Sequence, residues 1–150
     1  MRAVVQRVLS AEVTVNGETA GRIGRGLVVL LGVAKGDTEK EAEWMARKLG
    51  GLRVFEDSDG KMNLDLVQAE GALLMVSNFT VCGDASKGRR PSFDKAAGFE
   101  DGRELFDSCV RSLRESGLEV ETGRYGERMQ VSLVNDGPVT LVIDSPGGER

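Results

Sequence analysis

A glycine–proline pair set between two apolar strand patterns constrains the architecture of this chain more than any other local feature. Val131-Ser132-Leu133-Val134 lies before Asn135-Asp136-Gly137-Pro138-Val139-Thr140, and Leu141-Val142-Ile143 follows it. Pro138 has no N–H and cannot complete a ladder hydrogen bond, so a break between two strands is expected here, with backbone groups left facing a ligand. Taken alone, the segment reads as a hairpin turn, because only about 5–6 % of X-Pro bonds in folded proteins are cis. A second polar interruption, Ser77-Asn78-Phe79-Thr80-Val81, closes an apolar run that starts at Ala72.

Around these two interruptions the periodicity predicts mostly strands. Arg2 to Leu9 is valine-rich, and Glu12 to Val15 alternates up to Asn16-Gly17, a strong hairpin signal with a returning strand to Ile23. Gly21, Gly24 and Gly26 do not follow the dinucleotide-binding order and read as turn glycines. Leu27 to Val33 is apolar throughout, as in a strand covered on both faces. Thr38 and Glu41 form a capping box ahead of Ala42, Met45, Ala46 and Leu49 at helical spacing, with Gly50-Gly51 ending the helix. Leu52 to Phe55 reads as a strand turned by Asp57-Ser58-Asp59-Gly60, whose glycine is misplaced for a calcium loop.

Ala72 to Val81 reads as one long strand. A second helix is expected over about 100–116, burying Leu105, Phe106, Cys109, Val110 and Leu113. Strands near 118–121, 129–134 and 139–143 complete the pattern, and 144–150 reads as a flexible tail. The fold class is α+β: a curled, predominantly antiparallel, barrel-like sheet covered by two helices, in one domain spanning 1–150.

Composition narrows the chemistry. Among 150 residues there is no histidine, so Ser-His-Asp and Cys-His machinery and any imidazole-based metal site are excluded within the chain. No metal or cofactor is expected. Cys82 and Cys109 lack Cys-x-x-Cys spacing and fit a reduced, cytoplasmic protein. The absence of a long apolar run or leader pattern predicts no membrane association. A net charge of −4 argues against coating long nucleic acids. Lys87-Gly88-Arg89-Arg90 is the one basic cluster, open to phosphate contact and to an ordinary solvated-loop reading alike.

The two interruptions, together with Arg53-Val54-Phe55-Glu56-Asp57, Gly60-Lys61-Met62-Asn63, Arg90-Pro91-Ser92-Phe93 and Met129 to Val134, resemble the ordered blocks of D-aminoacyl-tRNA deacylases. Asn78 stands where that family usually has glutamine, Val81 where it has leucine, and Tyr125 where it has phenylalanine.

The resemblance implies a barrel-like homodimer that hydrolyses the ester of D-aminoacyl-tRNA, and of mischarged glycyl-tRNA, as chiral proofreading. It implies catalysis around Ser77, Asn78, Phe79 and Thr80 through backbone N–H donors at Phe79 and Thr80, assisted by a ribose hydroxyl of the tRNA. Gly137-Pro138 would form a cis selector that reaches into the partner's pocket and is held by Arg7. Tyr125 and Met129 would line the adenosine site, although from the sequence alone either fits the core equally well; Lys87, Arg89 and Arg90, read from their charge, are candidates to grip the tRNA 3′ end. Thr80 as a nucleophile ranks lower, because no histidine or N-terminal amine is available to take its proton. Two readings of another class remain open: a non-catalytic RNA-end binder, and an L-specific relative of an editing domain.

Overall fold

The structure, a computed structural model, describes residues 1–147. Its elements are β1 (Arg2–Val15), β2 (Glu18–Ile23), β3 (Gly26–Gly32), α1 (Glu39–Gly51), β4 (Phe55–Glu56), β5 (Met62–Leu64), β6 (Ala72–Ser77), a short 3-10 turn (Phe79–Cys82), α2 (Phe99–Glu115), β7 (Val120–Thr122) and β8 (Gln130–Asp144). The main sheet runs β2-β1-β3-β6-β7, with β8 also paired to β1.

Strand β1 organises the sheet. Its first half pairs with β3, its second half with β2, and β8 runs antiparallel along nearly its whole length. Asn16 and Gly17 both have positive φ, 49° and 79°, the twist-matched two-residue turn that the Asn-Gly pair favours. The sheet is mostly antiparallel, but β3–β6 and β6–β7 are parallel, each pair joined through a crossover that contains a helix. Hydrophobic period distinguishes strand from helix and carries no information on strand direction.

Several boundaries differ from the periodicity. The stretches expected as separate strands, 2–9 with 12–15 and 129–134 with 139–143, are two long continuous strands. The Gly137–Pro138 bond is cis, and the β1–β8 register shifts between Gln6 and Ser10 opposite it. The segment is therefore a bulge within one strand, not a hairpin turn: β1 on one side holds both halves of β8 in a single ladder. Strand β6 stops at Ser77, because Asn78 starts the 3-10 turn. The strand expected over 52–55 shrinks to Phe55–Glu56, paired with β5 around a turn in which Asp57 accepts from the Asp59 and Lys61 N–H groups.

Residues 144 and 145 do not belong to a loose tail. Asp144 pairs with Arg2 at 2.8 Å, and the Ser145 N–H donates to the Met1 carbonyl at 2.9 Å. Ser145 is buried. Residues 148–150 lie outside the described residues.

Two cores flank the sheet. Leu27, Val29, Leu31, Leu73 and Met75 face α1 and α2, where Met45, Leu49, Phe106 and Leu113 are buried against them. Val8, Val13, Val28, Leu74 and Val76 fill the concave side. Helix α1 starts at the expected Thr38–Glu41 capping box.

The sheet curls until β2 and β7 approach each other. A Cβ at Gly21 would lie 2.4 Å from the Thr122 carbonyl oxygen, and Arg124 bridges to Glu18 at 3.3 Å across the same seam. Gly21→Ala should therefore lower the unfolding free energy by about 1–3 kcal/mol, the usual range for overpacking. Gly24→Ala, with nothing within 4 Å of its Cβ, should stay within about 0.5 kcal/mol of wild type in the same urea titration. Equal midpoints and slopes for wild type and Gly21→Ala would contradict the close seam.

Candidate active site

The end of β6 meets β3 and then turns away from it. The Asn78 N–H donates to the Leu31 carbonyl at 2.9 Å, the last sheet bond of this segment. The 3-10 turn that follows lies against β3 because Gly32 has no side chain: a Cβ there would sit 2.5 Å from Val81 Cγ2 and 2.7 Å from Cys82 Sγ.

Asn78 caps that turn. Its Oδ1 accepts from the Thr80 N–H at 3.1 Å and also from the Thr80 hydroxyl. The Thr80 N–H is thus already committed, so the expected pair of free donors at Phe79 and Thr80 is reduced to one. The Phe79 N–H, at the first position of the turn, has no intrahelical acceptor. The Thr80 hydroxyl is engaged as a donor to an amide oxygen. The Phe79 ring is exposed and packs edge-on to Phe93, with centroids 5.3 Å apart.

A cavity of about 570 Å³ opens beside this turn. Ser77, Asn78 and Phe79 form one wall, and Phe106, Tyr125 and Met129 contribute to the other. Its lining is chiefly apolar, with polar groups from Ser77, Asn78, Tyr125 and Glu127, the usual character of a small-molecule or nucleoside site. Burial pushes the Tyr125 phenol above its ordinary pKa, which keeps it a neutral donor, and it donates to the Phe99 carbonyl at 2.8 Å. Phe99, Gly102 and Phe106 were not singled out as site residues in the sequence. The available signal was the Phe99–Arg103 pair at i, i+4, which puts a cation over an aromatic ring on one helix face.

Gly137 and Pro138 do not line this cavity. They form a second centre with Arg7, a residue only 5 % exposed in the middle of β1. Arg7 donates to the Asp136 carbonyl at 3.0 Å and to the Val54 carbonyl at 2.7 Å, and its charge faces Asp136 at 3.5 Å and Glu56 at 3.9 Å. Asn135 braces the same bulge: its Oδ1 accepts from the Val139 N–H at 2.8 Å and its Nδ2 donates to the Val139 carbonyl at 3.1 Å. Gly137, at φ 144°, has no room for a side chain, since a Cβ would lie 2.7 Å from the Val139 nitrogen.

Lys87, Arg89 and Arg90 do not line the cavity. They are exposed on a loop closed by reciprocal Asp84–Ser92 backbone bonds of 2.8 Å. Strand β8, paired only to β1 among the described residues, and adjoining β1 expose apolar side chains: Val134 is 52 % exposed, Val142 63 %, and Leu9 on β1 56 %. Burial pushes the Cys109 thiol up to about 12, as expected of an inert core cysteine.

A family model described as D-Tyr-tRNA(Tyr) deacylase matches residues 4–144. A D-aminoacyl-tRNA deacylase of Geobacter sulfurreducens is 54 % identical over 145 residues, covering 97 % of this chain and 95 % of the relative. One from Desulfitobacterium hafniense is 58 % identical over 145 residues, covering 97 % of each. Among solved structures, a c-Myc DNA unwinding element binding protein superposes with a TM-score of 0.92 at 43 % identity, covering 98 % of this chain and 100 % of that one. A probable eukaryotic D-amino acid tRNA deacylase shares the fold, with a TM-score of 0.79 at 18 % identity over 95 % of this chain and 97 % of that one. Matched nearly end to end in sequence and in fold, this chain belongs to the D-Tyr-tRNA(Tyr) deacylase family.

Proposed function

We propose that this chain hydrolyses the ester of D-aminoacyl-tRNA, and of mischarged glycyl-tRNA, releasing the free amino acid and tRNA as a proofreading step. The observation that carries the proposal is the Phe79 N–H, left without an intrahelical acceptor at a residue that lines a chiefly apolar cavity. An aminoacyl ester is already activated, so an enzyme without histidine can work by positioning it and stabilising the oxyanion. Water adds to the ester carbonyl carbon, negative charge collects on its oxygen against Phe79 N–H, and the bond to the ribose oxygen then breaks. The water's proton leaves by way of a tRNA ribose hydroxyl, and the departing ribose oxygen is protonated. One such backbone donor contributes about 3 kcal/mol.

In this reading the terminal adenosine lies against Tyr125 and Met129, and Lys87, Arg89 and Arg90 meet phosphates of the 3′ end. Chirality is selected by the Gly137 and Pro138 backbone, whose carbonyls accept from the substrate's amino group and leave no space where an L-residue directs its side chain. Because Gly137 and Pro138 lie outside their own chain's cavity, the selector belongs to the partner of a homodimer. The exposed apolar side chains of β8 support that interface.

With D-Tyr-tRNA and L-Tyr-tRNA as substrates, the D-form should be hydrolysed at least about 100-fold faster in kcat/KM, a discrimination of roughly 2.7 kcal/mol. Glycyl-tRNA, lacking a side chain to exclude, should also be cleaved. Equal rates on both enantiomers would refute the selector, and rapid cleavage of L alone would favour the editing-domain relative. Binding of the tRNA end without turnover would mark a non-catalytic binder.

Asn78→Ala removes the cap that shapes the turn, and should lower kcat by about 10–100-fold. Thr80→Val should lower it by less than about tenfold. An acyl-enzyme trapped on Thr80 would contradict the backbone mechanism. Val134→Asp with Val142→Asp should convert the dimer to monomer in sedimentation and abolish turnover; a fully active monomer would overturn the shared site.

A further inference from the structure

Helix α2 has a glycine at its fourth residue with no conformational reason to be there. Gly102 is buried, its φ is not in the left-handed region, and its N–H makes an ordinary helical bond to the Gly98 carbonyl at 2.9 Å. Alanine would serve such a position better on helix propensity alone. The steric surroundings supply the reason: a Cβ at Gly102 would lie 2.6 Å from the Tyr125 hydroxyl oxygen.

That hydroxyl is fixed from several sides. It donates to the Phe99 carbonyl at 2.8 Å, and the Tyr125 and Phe99 rings meet edge to face at 5.1 Å. The Arg103 guanidinium covers both rings, 4.9 Å from the Phe99 centroid and 5.2 Å from that of Tyr125. A Cβ at Gly126 would in turn fall 2.5 Å from the edge of the Phe99 ring. Two rings are seated in the gaps left by two glycines, at the wall of the cavity beside Asn78 and Phe79.

We propose that Gly102 is a positioning residue for substrate: by leaving room for the Tyr125 hydroxyl it fixes that ring, with Phe99 and Arg103, as a rigid wall of the nucleoside cavity. The proposal rests on reading this cavity as the site of the tRNA's terminal nucleoside. An alanine at 102 drives the hydroxyl off the Phe99 carbonyl and displaces a ring that lines the cavity. A phenylalanine at 125 removes the colliding atom. The two positions are therefore coupled, and the tyrosine that departs from the family's usual phenylalanine is compatible with a bare α2 backbone opposite it.

The test is a double-mutant cycle of Gly102→Ala and Tyr125→Phe, read by thermal unfolding and by steady-state deacylation of D-Tyr-tRNA. Gly102→Ala should lower Tm in the native background and raise it in the Tyr125→Phe background, where only the gain in helix propensity remains. Gly102→Ala alone should raise KM about tenfold with kcat changed less than about threefold, and the double variant should return KM to within about threefold of wild type. The Tm arm stands without any activity, so failure of the deacylase reading leaves it measurable. An alanine at 102 that has the same effect on Tm and on KM in both backgrounds would overturn the proposal. If Gly102→Ala fails to fold while the double variant folds, the coupling is established by that contrast; failure of both overturns it.

Discussion

The buried guanidinium of Arg7 is the interaction on which the functional half of this structure depends. An uncompensated cation inside a sheet is costly, and removing one partner of a buried, paired charge typically costs about 3–5 kcal/mol. Arg7 meets that cost with two backbone carbonyls and two carboxylates, and those partners come from different parts of the chain: Val54 and Glu56 beyond α1, and Asp136 in the bulge of β8. The residue before Gly137 is thereby tied to β1 at the point where the ladder register slips. Asn135 completes the brace from the other side of the bulge. A segment with few ladder bonds of its own acquires a fixed shape from a buried ion.

That anchoring has a functional corollary. The bulge is held on β1 and does not line the cavity that contains Ser77, Asn78 and Phe79. The proposed chemistry needs both, an oxyanion donor and a chiral filter, within reach of one small ester. The same β8 strand that carries the bulge exposes Val134 and Val142, hydrophobic side chains with no covering layer among the described residues. A two-fold dimer formed over that strand is the proposed arrangement that brings the two centres together, since a self-complementary interface places each bulge against the other copy.

Much of the fold was legible in local chemistry. The Asn16-Gly17 turn, the Thr38–Glu41 box and the α2 apolar face rest on interactions within a few residues, and they stand where the sequence places them. What was not legible depends on distant partners. Pro138 reads as a strand break until β1 is seen to hold both halves of β8, and parallel pairing of β3 with β6 depends on a crossover that no strand pattern encodes. In the site, Ser77, Asn78, Phe79, Tyr125 and Met129 converge on one cavity, whereas the commitment of the Thr80 N–H to Asn78 follows from a side-chain geometry that the sequence does not specify. The collision between Gly102 and Tyr125 is hidden for the same reason, because it links two elements far apart along the chain.

The central claim is that the oxyanion donor of one chain works with the chiral filter of another, and subunit complementation tests it most directly. One chain carries Asn78→Ala and the other Pro138→Ala; each alone should retain no more than about a tenth of wild-type activity. In a mixed dimer with shared sites, one of the two sites receives both lesions and the other receives neither, so random reassociation should restore about a quarter of wild-type activity. If instead each site lies within a single chain, every site in the mixture carries one lesion, and activity no higher than that of the separate variants would contradict the account.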